Sequence, residues 1–347
     1  MVAGVSQSTV SNVLNRPELV AEETRARVLA AIQATGFVVN RSARTLRAGK
    51  SSTLGVVVLD VANPYWGELT RGVEQAAAAA GCAVIVGSSD ESPEKEKRLL
   101  RLLEEQQVRG ILLAPVAWDL PALEAIRSRG TDVVFVDRND PTGRFPSVSA
   151  DHVQGAFLAG QHLIALGHRR VAFVNGPRSV PWCHDRAEGF TGAFEAAGLD
   201  PADCVREITV PAMTARAGEG SVSSLLDPPR TATAVFCAND VLALGVLKGL
   251  TRRGVHVPAD MSLVGYDDDD FAELLSPGLT TVRQDPYAIG ERGARLILGT
   301  DHQDRDSVTF TPVLVVRDSV EPAGAAGPDV RGSEVRAGDG RVGDRRL

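Results

Sequence analysis

From residue 53 onward the chain repeats one texture: an apolar run of strand length, a longer amphipathic stretch, then another apolar run. The runs at 54–59, 83–87, 110–114 and 133–137 have the near-continuous apolar character of parallel strands buried on both faces. Between them, 64–80, 93–107 and 120–129 carry helical periodicity. The rhythm resumes with a helix over 151–166, a strand at 171–174, a helix near 186–197, a strand at 234–237, a helix over 241–252 and a strand at 263–266. Two such series predict an α/β body of two doubly wound parallel sheets, with a cleft between lobes at the carboxyl ends of their strands. Aromatics make up only 5% of the residues, so the core must be built mostly from Ala, Val and Leu.

The first fifty residues read differently. Ser6 can N-cap a short helix over 7–14, which Asn15-Arg16-Pro17 ends. A second helix over 21–35 has Glu22 and Glu23 in its first turn, an apolar stripe of Val28, Leu29 and Ile32, and Gly36 as its stop. Residues 40–50 are polar and basic with Leu46 as the one large apolar side chain, too little to fold alone. The chain carries a net charge of −7, yet Arg16, Arg25, Arg27, Arg41, Arg44, Arg47 and Lys50 face only Glu18, Glu22 and Glu23 in residues 1–50. That leaves the head at +4 and the remainder at −11. A basic end on an acidic body suits contact with phosphate.

Cys82, Cys183, Cys204 and Cys237 are scattered without paired spacing, which fits a reducing compartment and offers no zinc pattern. No apolar run is long enough to cross a bilayer, and Met1 is not followed by a basic start and an apolar core. The cytoplasm is therefore the expected location, with no membrane partner.

The run Ala3-Gly4-Val5-Ser6-Gln7-Ser8-Thr9-Val10-Ser11-Asn12-Val13-Leu14-Asn15 closely resembles the turn and recognition helix of the lactose-repressor (LacI/GalR) family of transcriptional regulators. The resemblance continues through Thr35-Gly36-Phe37, Ala43-Arg44-Thr45-Leu46, Ala62-Asn63-Pro64-Tyr65-Trp66, Val136-Asp137-Arg138 and Leu166-Gly167-His168-Arg169-Arg170. Cys237-Ala238-Asn239-Asp240, Val264-Gly265-Tyr266-Asp267-Asp268 and Leu279-Thr280-Thr281-Val282-Arg283-Gln284-Asp285 complete it. It implies a helix-turn-helix head over 1–40, a hinge helix over 41–50, and an effector-binding and dimerisation body over 51–320 resembling periplasmic binding proteins. Lobe one would hold 51–150 and 281–305, lobe two 151–280 and 306–320. Residues 321–347 are expected to lack order.

The same resemblance implies roles. A helix lying in the major groove would present Gln7, Ser8 and Asn12 to base edges, where amides and hydroxyls exchange hydrogen bonds. Thr9, Ser11 and Asn15, with Arg44 and Arg47 of the hinge, would contact phosphates, and Leu46 would wedge a minor-groove base step. A wedge at a twofold axis implies a homodimer on a pseudo-palindromic operator in double-stranded DNA. Arg186, Asn239 and Asp267 would bind the hydroxyls of a small-molecule effector, with Asp137 joining from the first lobe. Tyr65, Trp66 and Trp182 would supply aromatic walls or pack at a lobe surface, and His168 reads as a turn residue. The implied effector is a sugar, ahead of a purine or nucleoside. No cofactor is implied.

Three other readings meet the residues less well. Asp267 to Asp270 lack the alternating spacing and glycine of a calcium loop, and Gly4-Val5-Ser6-Gln7-Ser8 lacks the second glycine of a nucleophile elbow, so no metal or catalytic residue is expected. A transport binding protein leaves the basic head unexplained. A cytosolic sugar sensor with a non-functional head is the third. Relatives carry most of a first helix before the position of Ala3, where this sequence has Met1 and Val2, so a start further upstream is expected. Without that helix, uncovering Val10 and Leu14 would forfeit roughly 3–5 kcal/mol and leave the head partly molten.

Overall fold

A computed structural model describes residues 2–36, 51–178, 180–227, 232–300 and 307–324. The chain divides into two compact units, a head up to Ser52 and a body from Thr53. In the head, α1 (Gln7–Asn15) opens where the Ser6 hydroxyl accepts from the Thr9 N–H at 3.2 Å. A single 3-10 turn, Pro17–Leu19, leads to α2 (Glu22–Thr35), which ends on Gly36 at φ +60°. Val13 of α1 and Val28 of α2 are the buried apolar side chains among the described residues of the head. The hinge expected at 41–50 lies outside the described residues, and with it Arg44, Leu46 and Arg47.

The body follows the predicted alternation. Its first series is β1 (Thr53–Val58), α3 (Pro64–Ala79), β2 (Ala83–Ser88), α4 (Pro93–Glu105), β3 (Gly110–Leu113), α5 (Leu120–Ser128), β4 (Asp132–Val136) and β5 (Ser147–Ala150). The second is α6 (His152–Ala165), β6 (Val171–Asn175), α7 (Pro181–Ala196), α8 (Pro201–Cys204), β7 (Val205–Thr209), α9 (Ala215–Leu226), β8 (Ala234–Cys237), α10 (Asp240–Thr251) and β9 (Ser262–Val264). The chain closes with β10 (Thr281–Arg283), α11 (Pro286–Leu298), β11 (Val308–Phe310) and β12 (Val313–Val315).

Lobe one is a six-stranded sheet in the order β11-β5-β4-β3-β1-β2, all neighbours parallel, and lobe two a four-stranded parallel sheet in the order β7-β6-β8-β9. Leu54, Val56, Val57 and Val58 of β1 are wholly buried, as a central strand covered by helices on both faces requires. Phe173, Phe190 and Phe236 form a stack at the centre of lobe two, with centroids 4.7 and 4.8 Å apart.

The chain passes between lobes at β5 to α6, at β10 to α11, and at β11 to β12. These crossovers are tied together: the Asp151 N–H donates to Phe310 O, and β10 pairs antiparallel with β12. Two expectations are corrected here. Residues 308–310 extend the lobe-one sheet beside β5, so 306–320 is not all lobe two. The strand's place beside β5 is a tertiary pairing that no local alternation reveals. Residues 321–324 are not a free tail: Glu321 O accepts from His168 Nε2 at 3.0 Å and Ala323 N donates to Leu166 O. His168 is accordingly a structural residue, its Nδ1 lying 2.8 Å from Thr233 Oγ1. The rest of the expected tail, 325–347, lies outside the described residues.

Candidate functional site

On α1, Gln7, Ser8 and Asn12 are exposed, whereas Val13 is buried. Ser8 and Asn12 stand four apart, so they share a helix face. Thr9 and Ser11 are half-buried, and the hydroxyls of Ser8 and Thr9 lie 2.7 and 2.9 Å from Ser6 Oγ. The side chain of Asn15 lies outside what is described. Val2, Ala3, Val10, Ala31 and Ile32 line an open apolar concavity of about 340 Å³ on the head.

In the body, the cleft is built where strands end. Asp137 follows β4 directly and holds φ +61°, while Asp267, just beyond β9, holds φ +111°. Left-handed conformations are costly for residues other than glycine and persist where surroundings enforce them, which happens most often at ligand sites. Asn63 N-caps α3, accepting from the Tyr65 N–H at 3.0 Å, and this aims the Tyr65 hydroxyl to donate to Asp137 Oδ1.

Asp137 is joined to the second lobe through a residue the sequence reading missed. His152 opens α6, is buried, and places Nε2 at 3.4 Å from Asp137 O. Its Nδ1 lies 3.4 Å from Arg186 Nη2. A guanidinium only donates, so Nδ1 is the acceptor and the imidazole carries its proton on Nε2, directed at Asp137. Arg186, on α7, also donates to Ala238 O and reaches Asp267 Oδ1 at 3.4 Å. Its guanidinium lies 3.7 Å from the Tyr266 ring centroid and 4.9 Å from that of Trp182. Gln284, at the second crossover, donates to Asp267 at 2.8 Å. The result is a chain of contacts from Tyr65 through Asp137, His152, Arg186 and Asp267 to Gln284.

Burial sets the electrostatics of this chain. It pushes the Asp137 carboxyl up to about 7 against the opposing pull of Tyr65 and Arg186. It raises Asp267 as well, despite Arg186 and Gln284. His152 is pushed down to about 3 by burial and by the Arg186 charge, so it is neutral at physiological pH.

The geometry of α6 and α7 depends on close approaches at glycine, the tightest of them at Gly189. A Cβ on Gly189 would sit 1.9 Å from Val153 O, so only glycine lets α7 come near enough to set Arg186 against His152.

The other predicted effector residues take separate places. Asn239 is buried and N-caps α10, accepting from the Leu242 N–H at 2.8 Å. Trp66 is turned into the lobe-one core, edge-on to Tyr65. Trp182 lines the cleft with Asp137 and His152. His152 gave no signal in the sequence beyond lying in the first turn of a predicted helix; only the crossover brings it between the lobes.

Residues 1–40 match the family model for bacterial regulatory proteins of the lacI family, and residues 161–320 that for a periplasmic binding protein-like domain. Over 322 residues the chain is 34% identical to the HTH-type transcriptional repressor CytR of Escherichia coli strain K12, covering 91% of this chain and 93% of that one. The chain belongs to the LacI family. Among solved structures, this LacI-family chain is similar to the lac repressor dimer bound to operator and the anti-inducer ONPF, with a TM-score of 0.79 and 29% identity over 92% of this chain and 97% of that one. It is also similar to a LacI family transcriptional regulator from Enterococcus faecium with bound ribose, with a TM-score of 0.71 and 29% identity over 78% and 99% of the two chains. Among the described residues, no helix is long and apolar enough to cross a membrane, and no group of three or more His, Cys, Asp or Glu is placed to hold a metal ion.

Proposed function

We infer that the chain is a transcriptional repressor that binds operator DNA through its head and responds to a small molecule held in the cleft of its body. The observation that carries this reading is the union, in one chain, of a capped helix exposing Gln7, Ser8 and Asn12 with a two-lobed body whose cleft gathers Asp137, His152, Arg186 and Asp267. Gln7, Ser8 and Asn12 read bases. Thr9, Ser11, Asn15, Arg44 and Arg47 meet phosphates, and Leu46 opens the minor groove of a site bound by a homodimer. The relatives are repressors, and the reading here is likewise of a cytoplasmic binding protein rather than an enzyme.

The effector is a sugar by likeness to the ribose-bound neighbour. Its hydroxyls exchange with contacts that Asp137, His152 and Arg186 make with one another. Because those groups come from both lobes, occupancy changes the lobe angle and with it the fit of the dimer on DNA. Coupling of this kind typically amounts to about 1–3 kcal/mol. The test is selection from a random DNA pool, then titration of the selected complex with sugars and nucleosides. Enrichment of a palindrome whose affinity one compound alters supports the reading; enrichment of no sequence at any salt concentration overturns it.

A further inference from the structure

The run Asp267 to Asp270 lacks the spacing of a metal loop, and in the folded chain its members take different places. Asp267 belongs to the cleft, where Arg186 lies at 3.4 Å and Gln284 donates at 2.8 Å. Asp268 holds two arginines: Arg283 Nε donates to its Oδ2 at 2.6 Å, and Arg317 Nη1 lies 2.7 Å from its Oδ1. The Asp269 N–H donates to Asp240 Oδ2 at 3.0 Å, and Asp270 is exposed. Asp240, wholly buried at the start of α10, also accepts from the Thr281 hydroxyl at 2.7 Å. Room for that carboxylate comes from Gly265, where a Cβ would stand 2.0 Å from Asp240 Oδ1.

The two arginines belong to different passages between the lobes. Arg283 ends β10, after which the chain enters α11 of lobe one, and Arg317 follows β12, just after the chain returns from β11. Arg283 pairs in register with Val313, so one carboxylate ties together both strands that carry the second and third crossovers. The Asp268 side chain is 5% exposed, against 53% for Arg283 and 16% for Arg317, so water screens the cluster little at its centre. Asp267 and Asp268 are successive left-handed residues, at φ +111° and +59°, a backbone that persists only where its contacts enforce it. Gln284, which holds Asp267, is the chain neighbour of Arg283, which holds Asp268. A movement of Gln284 against Asp267 therefore also loads the Arg283 contact.

We infer that Asp268 is a positioning residue that latches the second and third crossovers to lobe two and so sets the lobe angle on which operator binding depends. Hinges of this kind are a few residues at element ends. The inference rests on the repressor reading above and names the element through which the cleft is coupled to DNA binding.

Hydrogen–deuterium exchange of the full chain, read by mass spectrometry, compares the wild type with Asp268→Asn, Arg283→Met, Arg317→Met and Arg317→Lys. Circular dichroism first establishes that each is folded. Asparagine tolerates left-handed backbone, so Asp268→Asn removes the charge with little backbone cost. Exchange at 280–284 and 313–318 is expected to speed at least about tenfold in Asp268→Asn, with 54–58 and 171–175 unchanged. Affinity for the operator selected by the wild type, measured without any small molecule, is expected to move at least about fivefold in the same variant. Each Met variant is expected to show part of both effects, and Arg317→Lys, which keeps the charge, little of either. If Asp268→Asn does not fold, the Met variants are judged by the same criteria. Unchanged exchange at the crossovers, or a rise spread evenly over crossovers and cores, overturns the latch and leaves the repressor reading standing. Looser crossovers with operator affinity within about twofold of wild type overturn it likewise. A wild type that selects no operator overturns the repressor reading, and the inference falls with it.

Discussion

Arg186 reaches Asp267 at 3.4 Å while its guanidinium lies 3.7 Å from the Tyr266 ring centroid, and both charged side chains are about 95% buried. An ion pair so far from water is held by geometry, since removing one partner strands the other. Breaking such a pair typically costs about 3–5 kcal/mol. Arg186→Leu should therefore lower the urea midpoint substantially and abolish any effector response, and adding Asp267→Leu should recover most of the stability without the response. Equal midpoints for the wild type and Arg186→Leu would mean that the pair does not support the lobe.

Asp137 supplies a pH dependence with a definite sign. Its folded-state value is raised to about 7, above that of the unfolded chain, so the folded protein holds a proton the unfolded chain releases. The stability this contributes is fully present below about pH 4 and is lost as pH rises toward 7. Asp137→Asn, which keeps an acceptor for Tyr65, should flatten that slope and raise the body's stability by about 2–4 kcal/mol at pH 8. Thermal unfolding between pH 5 and 8 measures it; parallel curves for wild type and variant would locate the proton elsewhere.

The two lobes and the succession of most strands and helices were legible because buried parallel strands such as β1 and β3 are continuous apolar runs bounded by helices of clear period. The strands β5, β7, β10, β11 and β12 were not: β5 and β7 mix polar with apolar residues, and the pairing of β10, β11 and β12 is fixed by tertiary contacts that no local pattern records. The same limit explains the site. Asp137, Arg186 and Asp267 sit in recognisable runs and do meet within one network, whereas Asn239 and Trp66 sit in equally recognisable runs and are used as a helix cap and as core. His152 was missed because its role comes from three elements converging at a crossover, with nothing in its neighbours to mark it.

The α6–α7 contact separates two glycines on one helix. Gly189→Ala would drive a methyl into Val153 O, forcing the helices apart at an expected cost of roughly 2–4 kcal/mol and moving Arg186 away from His152. Gly192 has no atom within 4 Å of a built Cβ, so Gly192→Ala should be neutral or stabilising by up to about 1 kcal/mol. Chemical denaturation of both variants checks the contrast, and equal effects would remove close packing as the reason for Gly189.

The head offers a prediction in which stability and specificity come apart. Ser6 accepts from the Thr9 N–H as the cap of α1, so Ser6→Ala should cost about 1 kcal/mol of head stability and weaken every DNA sequence alike. Gln7 and Asn12 are exposed and hold no cap, so Gln7→Ala and Asn12→Ala should leave stability within about 0.5 kcal/mol of wild type. Each should instead relax preference at one or two base pairs of the selected operator, by about 1–3 kcal/mol. Binding of every variant to a library of single-base operator changes distinguishes the cases. A uniform loss for Asn12→Ala, with the base preferences intact, would move that residue from reading bases to positioning the helix on phosphate.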